Sequence, residues 1–242
     1  MQKLIPKVIH YCWFGRNEKS RAVLRCIESW KRLCPDYEIT EWNEDNFDIA
    51  CIPFVKEAYE TGKWAFVTDY ARLKIVYENG GIYLDTDVEL IKPLDELLHL
   101  QAYAGFQGEE YVATGLGFGA EKGNAMIGEL MADYHSISFS KNADDLIKIA
   151  CPVVNTKVFK THGLVADGKM QTVNGVTVFP REYFDPKDSE TYELKVTENT
   201  VSIHHYDASW KGMPSGFKQR IIGVLVKLLG KERFLRLKAK IK

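Results

Sequence analysis

Apolar and polar positions along this chain keep changing period, and the changes mark out its elements. Residues 4–14 are almost continuously apolar, as in a strand buried on both faces, and Gly15-Arg16-Asn17 ends the run. From Ser20 to Leu33, apolar positions 23, 24, 27 and 30 recur at helical spacing, with Ser20 placed to cap the first turn. Pro35-Asp36 turns the chain, and residues 37–42 alternate like a half-buried strand. Strand, helix and strand at these lengths open a βαβ unit.

Residues 53–79 predict helix in two pieces divided near Thr61-Gly62, the second with Phe66, Tyr70, Leu73 and Tyr77 along one stripe. Asp69 and Arg72 lie three apart on that helix, where a solvent-facing ion pair worth ~0.2–0.5 kcal/mol is the plain expectation. Pro93 starts a predicted helix to about Leu100, followed by a short strand at 103–106. Helices are expected at 124–135 and 142–149, and late strands at 173–180 and 200–205. Gly115, Gly117, Gly119 and Gly123 lack the spacing of a dinucleotide loop and mark backbone that comes close to something else.

One segment carries chemistry. Gly80-Gly81-Ile82-Tyr83-Leu84-Asp85-Thr86-Asp87 is an apolar strand running into two carboxylates one residue apart. The glycine pair stops the preceding helix and permits close approach to a ligand. Ligands of α/β proteins gather at the carboxyl ends of strands, and paired carboxylates suit a divalent Mg²⁺ or Mn²⁺ with phosphate oxygens.

Composition narrows the setting. At 242 residues, with 45% hydrophobic and 27% charged side chains, one domain with one core is the default. No transmembrane run or signal peptide is read, and five cysteines without a Cys-x-x-Cys pair favour a reducing cytosol, so a cytoplasmic location is expected. The net charge of −1 is unevenly spread. From Lys211 onward ten Lys/Arg face one acid, Glu232, which leaves 22 of the 32 basic and 32 of the 33 acidic residues to the rest. Within 217–242, apolar residues at 221, 222, 225, 228 and 229 form a helical stripe among the cations. Such a basic amphipathic tail either lies on an anionic membrane surface or docks on the acidic body; aromatic residues are too sparse for nucleic acid.

Four segments together carry a resemblance: Ile5-Pro6-Lys7-Val8-Ile9-His10-Tyr11-Cys12-Trp13, Thr68-Asp69-Tyr70-Ala71-Arg72, the Gly80–Asp87 stretch, and His204-His205-Tyr206-Asp207-Ala208-Ser209-Trp210. In this order they resemble the glycosyltransferases with the DXD sugar-binding motif grouped as family 32. The resemblance spans about residues 5 to 210 and implies a type-A glycosyltransferase fold, a Rossmann-like α/β/α sandwich with a mixed central sheet. With the basic tail read from charge and periodicity, this divides the chain into a catalytic domain at 1–210 and a basic amphipathic helical tail at 211–242.

The same resemblance implies retaining transfer from a nucleotide-diphosphate sugar with Mn²⁺ (or Mg²⁺), UDP favoured over GDP. The acceptor would be a glycan or lipid-linked glycan in capsular, exopolysaccharide or other surface-glycan synthesis, and the basic tail would allow a peripheral place on the inner membrane face. It assigns the metal to Asp87, Asp85 and His204. Donor contacts fall to His10, Trp13, Asp69, Arg72, Tyr83, Asp85, Ser209 and Trp210, and the catalytic group is Asp69, Arg72, Asp85 and Asp87. Cys151-Pro152 stands where the family often has Gly-Pro. Two other readings are an aspartate-nucleophile phosphatase, for which the motif lies unusually far from the start, and a non-catalytic sugar-binding, membrane-associated protein.

Overall fold

The computed structural model describes residues 4–140 and 142–206, with Ile222, Val226 and Gly230 beyond them. Ser209, Trp210 and, apart from Ile222, the amphipathic stripe therefore lie outside the described residues. Among those described, no helix is long and apolar enough to cross a membrane.

The opening run forms β1 (Val8–Cys12), followed by α1 (Arg21–Leu33) and β2 (Glu38–Trp42), which pairs parallel with β1. Ser20 caps α1 as its spacing predicts, its Oγ accepting the Val23 N–H at 3.3 Å. The helical stretch divides into α2 (Pro53–Glu60) and α3 (Trp64–Asn79). α3 buries far more than one stripe: Val67, Asp69, Ala71, Arg72, Ile75 and Val76 are enclosed along with Phe66, Tyr70 and Leu73. A helix covered on nearly every side puts its charged residues inside the protein, so the Asp69–Arg72 pair is internal rather than solvent-facing.

After α3 come β3 (Gly81–Tyr83), β4 (Val88–Leu90), β5 (Ala102–Gln107), β6 (Tyr111–Ala113) and β7 (Phe118–Ala120). The helices α4 (Ala125–Asp133), α5 (Ala143–Lys148) and α6 (Cys151–Thr161) precede β8 (Gln171–Val173), β9 (Val176–Phe179), α7 (Arg181–Phe184) and β10 (Ser202–His204). The main sheet runs β2-β1-β3-β7-β5-β9-β8, with β6 also on β5. It mixes parallel pairs (β1 with β2 and β3, β5 with β9) and antiparallel ones (β7 with β3 and β5). Alternation along its strands splits the core in two. Ile9, Tyr11, Ile82 and Tyr103 pack with α1 on one face; Cys12, Tyr83, Ala104 and Phe118 pack with α2, α3, α4 and α6 on the other.

Three expectations are corrected. The helix from Pro93 is only a turn of 3-10 helix at Asp95–Leu97, and the Leu98 carbonyl just beyond it accepts the Leu4 and Ile5 N–H groups of the incoming chain. The strand at 173–180 is two strands. Asn174 and Gly175 both adopt positive φ, 45° and 80°, and make the two-residue turn that joins β8 to β9. The glycine pair does stop α3, Gly80 having φ 70° and its N–H returning to the Val76 carbonyl. Gly81, however, serves the neighbouring strand rather than a ligand. A Cβ there would stand 2.8 Å from the Val8 carbonyl oxygen and 2.9 Å from His10 Nε2.

A candidate metal and donor site at the end of β3

The second acid is placed by β4, which lies outside the main sheet and pairs antiparallel with β10. His204 opposes Val88 in that register, and the next N–H, of His205, donates to the Asp87 carbonyl at 2.9 Å. The other edge of β4 is satisfied by side chains of α1. Trp30 Nε1 donates to the Val88 carbonyl at 2.8 Å, and Ser29 Oγ accepts the Leu90 N–H at 3.0 Å. A buried strand edge needs such partners. Here they fix the height of Asp87 relative to β10.

The ladder brings His204 Nε2 to 3.1 Å from Asp87 Oδ1. Asp85, Asp87 and His204 can each offer one ligand atom within 4.8 Å of the others, and no other such group occurs among the described residues. Their side chains are 22%, 18% and 14% exposed, open enough to receive a ligand and dry enough to strengthen its electrostatics. Two carboxylate oxygens and an imidazole nitrogen fit a divalent cation of the Mn²⁺ type, the nitrogen weighing against Mg²⁺.

Behind Asp85 stands Arg72. Its guanidinium Nη2 lies 3.0 Å from Asp69 Oδ1 and 3.2 Å from Asp85 Oδ1, while Nε donates to the Thr68 carbonyl. Burial disfavours its charge, but Asp85 and Asp69 outweigh burial and hold its pKa well above the ordinary value. One cation thus serves two acids. Burial accordingly pushes Asp69 up to about 6 despite Arg72, and raises Asp85 as well, where Arg72, His204 and a hydrogen bond from Tyr83 act against it. For His204, burial opposes the charge and the surrounding carboxylates, Asp87 first, raise its pKa overall.

The remaining expected residues fall in different places. Tyr83 is buried, its hydroxyl donating to Asp85 Oδ1 at 3.0 Å with the Arg72 guanidinium 5.2 Å from its ring. It braces the acid rather than lining an open pocket. His10 is also buried, and both its ring nitrogens are engaged. Nε2 meets the Gly80 carbonyl at 2.9 Å and Nδ1 meets Trp42 Nε1 at 3.2 Å, which fixes the Nε2–H tautomer and leaves neither nitrogen for a donor. Burial lowers its pKa, consistent with a neutral ring. Trp13 is partly exposed just beyond β1, with Nε1 donating to the Asn17 carbonyl and Lys19 Nζ 5.5 Å from its ring centroid.

Sequence reasoning missed the backing of Arg72. α6 begins at Cys151, whose Sγ lies 3.2 Å from Thr114 Oγ1, 3.3 Å from Asn155 Nδ2 and 4.0 Å from Arg72 Nη1. Its signal was legible: Pro152 in the first turn and apolar residues at 151, 154, 158 and 159 at helical spacing. The glycine-rich run supplies the close approach predicted for it. Gly115 has no room for a Cβ, which would stand 2.7 Å from Arg72 Nη1 and 2.8 Å from Asp85 Oδ2.

Comparison with known proteins agrees with this geometry. Residues 20–103, which include Asp85 and Asp87, match the family model described as glycosyltransferase sugar-binding region containing DXD motif. Inositol phosphoceramide mannosyltransferase 3 of Schizosaccharomyces pombe is 35% identical over 103 residues, 41% of this chain and 29% of that protein. Mannosyltransferase 1 of the same name and organism is 27% identical over 128 residues, 46% of this chain and 39% of that protein. The chain thus spans well under half the length of these relatives. Among solved structures, the PaToxG glycosyltransferase superposes with a TM-score of 0.53 at 18% identity, covering 65% of this chain and 69% of that one. The chain has a type-A glycosyltransferase fold, and its residues 20–103 are similar to a glycosyltransferase sugar-binding region of the DXD kind.

Proposed function

We propose that this chain is a metal-dependent, retaining glycosyltransferase that moves a hexose from a nucleotide-diphosphate donor to a glycan or lipid-linked glycan. The observation that carries the reading is the convergence of Asp85, Asp87 and His204 beside the buried Asp69–Arg72 pair. Asp87 and His204 would hold the ion, and Asp85 would reach both the ion and the donor ribose. Bound there, the cation supplies Lewis-acid neutralisation of the leaving diphosphate.

The chain's own residues do the rest. Arg72 favours the charged form of Asp85 against the effect of burial and holds it in place, and the Tyr83 hydroxyl donates to the same carboxylate. Trp13 offers a partly exposed ring for the base, a contact worth ~1–3 kcal/mol where base stacking has been measured. Asp69 would bind hydroxyls of the donor sugar. Its oxygens are already engaged by Arg72 and by the Cys151 backbone N–H, which makes it a poor nucleophile. A front-face transfer, with the leaving phosphate assisting the acceptor's deprotonation, therefore fits better than a covalent glycosyl-enzyme. UDP-hexoses are the favoured donors. The relatives named as mannosyltransferases make mannose a sugar to include in the panel. A peripheral cytoplasmic position, with the basic tail toward an anionic membrane face, would suit a lipid-linked acceptor.

The test is calorimetric titration with UDP- and GDP-hexoses with and without Mn²⁺, with Asp87→Ala alongside. Metal-dependent binding that Asp87→Ala abolishes supports the proposal. Absence of nucleotide binding together with phosphate-ester hydrolysis would show the acids to be a phosphatase site and sink it.

A further inference from the structure

A ligating imidazole is ordinarily oriented by a hydrogen bond at its second nitrogen. His204 has none: Nδ1 is buried without a hydrogen-bond partner among the described residues. Beyond the 3.1 Å contact of Nε2 with Asp87 Oδ1, packing among the described residues sets the angle of the ring. Tyr206 supplies it, its ring meeting that of His204 edge-on, with centroids 4.3 Å apart and planes at 72°.

Tyr206 is itself tightly held. Its backbone takes a left-handed φ of 56°, uncommon for a residue with a Cβ. Its hydroxyl donates to Asp185 Oδ1 at 2.5 Å. Asp185, just past α7, is 1% exposed, and its Oδ2 accepts the Gly108 N–H at 2.9 Å. Lys187 Nζ meanwhile donates to the His205 carbonyl at 3.0 Å, so the residue between the two rings is tied down too. No sequence motif marks Asp185, and the mechanism above does not use it.

We infer that Tyr206, clamped by Asp185, is a positioning residue that sets the imidazole of His204 for a divalent cation. The inference rests on the reading of Asp85, Asp87 and His204 as the metal site. Without that ring His204 would gain freedom to turn about its side-chain torsions, since no described residue hydrogen-bonds Nδ1. The cost should fall on metal affinity, on the scale of the 10–100-fold known for residues that orient metal ligands.

The experiment titrates Mn²⁺ by electron paramagnetic resonance into the full chain and into Tyr206→Leu, Tyr206→Phe and His204→Ala, with melting temperatures measured in EDTA. The expected result is Mn²⁺ binding weakened 10–100-fold in Tyr206→Leu, beyond any change in the EDTA melting temperature. Wild-type affinity in Tyr206→Leu, with His204→Ala weakened, overturns the clamp and leaves the metal site standing. Unchanged affinity in His204→Ala, or no Mn²⁺ binding by the wild type, overturns both. Should Tyr206→Leu not fold, Tyr206→Phe decides. A loss of about ten-fold at an unaltered EDTA melting temperature supports the clamp, and wild-type affinity refutes it.

Discussion

At the scale of single residues, the site depends on one guanidinium shared between two carboxylates and on the absence of one side chain. Gly115 has an ordinary backbone conformation, so its constraint is steric alone: Arg72 and Asp85 occupy the space a Cβ would need. Gly115→Ala should push the pair apart and weaken Mn²⁺-dependent nucleotide binding about ten-fold or more, equivalent to about 1.4 kcal/mol. The effect should shrink in an Arg72→Lys background, where Nη1 is gone. Additive losses in that double-mutant cycle would refute the steric account. Asp69 gives a second prediction. Burial raises its folded pKa from 3.8 to about 6, so between those values the folded state holds a proton that the unfolded state has lost. Its contribution to stability is full below pH 3.8 and is lost as pH rises through about 6. Melting curves should therefore show wild type losing ground to Asp69→Asn from pH 4 to 6, about the span of that shift, and no further divergence above it.

At the scale of elements, the acid motif is set by α1 as much as by its own strand. Ser29 and Trp30 satisfy the edge of β4 that β10 does not reach. Ser29→Ala would leave the Leu90 N–H buried and unpaired, at a cost of about 1–3 kcal/mol, and should lower the urea midpoint while weakening Mn²⁺ binding. A lower midpoint with unchanged Mn²⁺ affinity would show that β4 keeps its height without α1. Elements of this kind explain which parts of the fold were legible in the sequence. β1, α1, β2 and the α2–α3 break follow from local periodicity and caps, which depend on nearby residues alone. The helix expected from Pro93 shrinks to one 3-10 turn, and the partners of the Leu98 carbonyl beyond it, the N–H groups of residues 4 and 5, are distant in sequence. The acids, the late histidine and Arg72 were marked by residue type and order. The burial of Asp69 and Arg72, the bracing role of Tyr83, the internal engagement of His10 and the Asp185–Tyr206 link were not, because each is decided by what packs against it.

At the scale of the molecule, the candidate site is assembled from parts remote in sequence: α3, the end of β3, the turn before β7, the start of α6 and β10. Such a site couples ligand binding to the stability of the body as a whole, since each ligand contact also ties two of these elements together. If Asp85, Asp87 and His204 hold a cation as proposed, a diphosphate would add its oxygens to the same ion, so metal and nucleotide should each raise the other's affinity and do so reciprocally. A ligand at 100 times its dissociation constant adds about 2.7 kcal/mol to stability, which for a chain of this size is a rise of roughly 5–10 °C in melting temperature. Thermal-shift measurements with Mn²⁺ alone, UDP alone and both together should give a joint rise greater than the sum of the separate ones. The excess should vanish in Asp87→Ala, whose EDTA melting temperature stays near that of the wild type. Strictly additive shifts would mean that metal and nucleotide occupy independent sites, and that the paired aspartates do not join them.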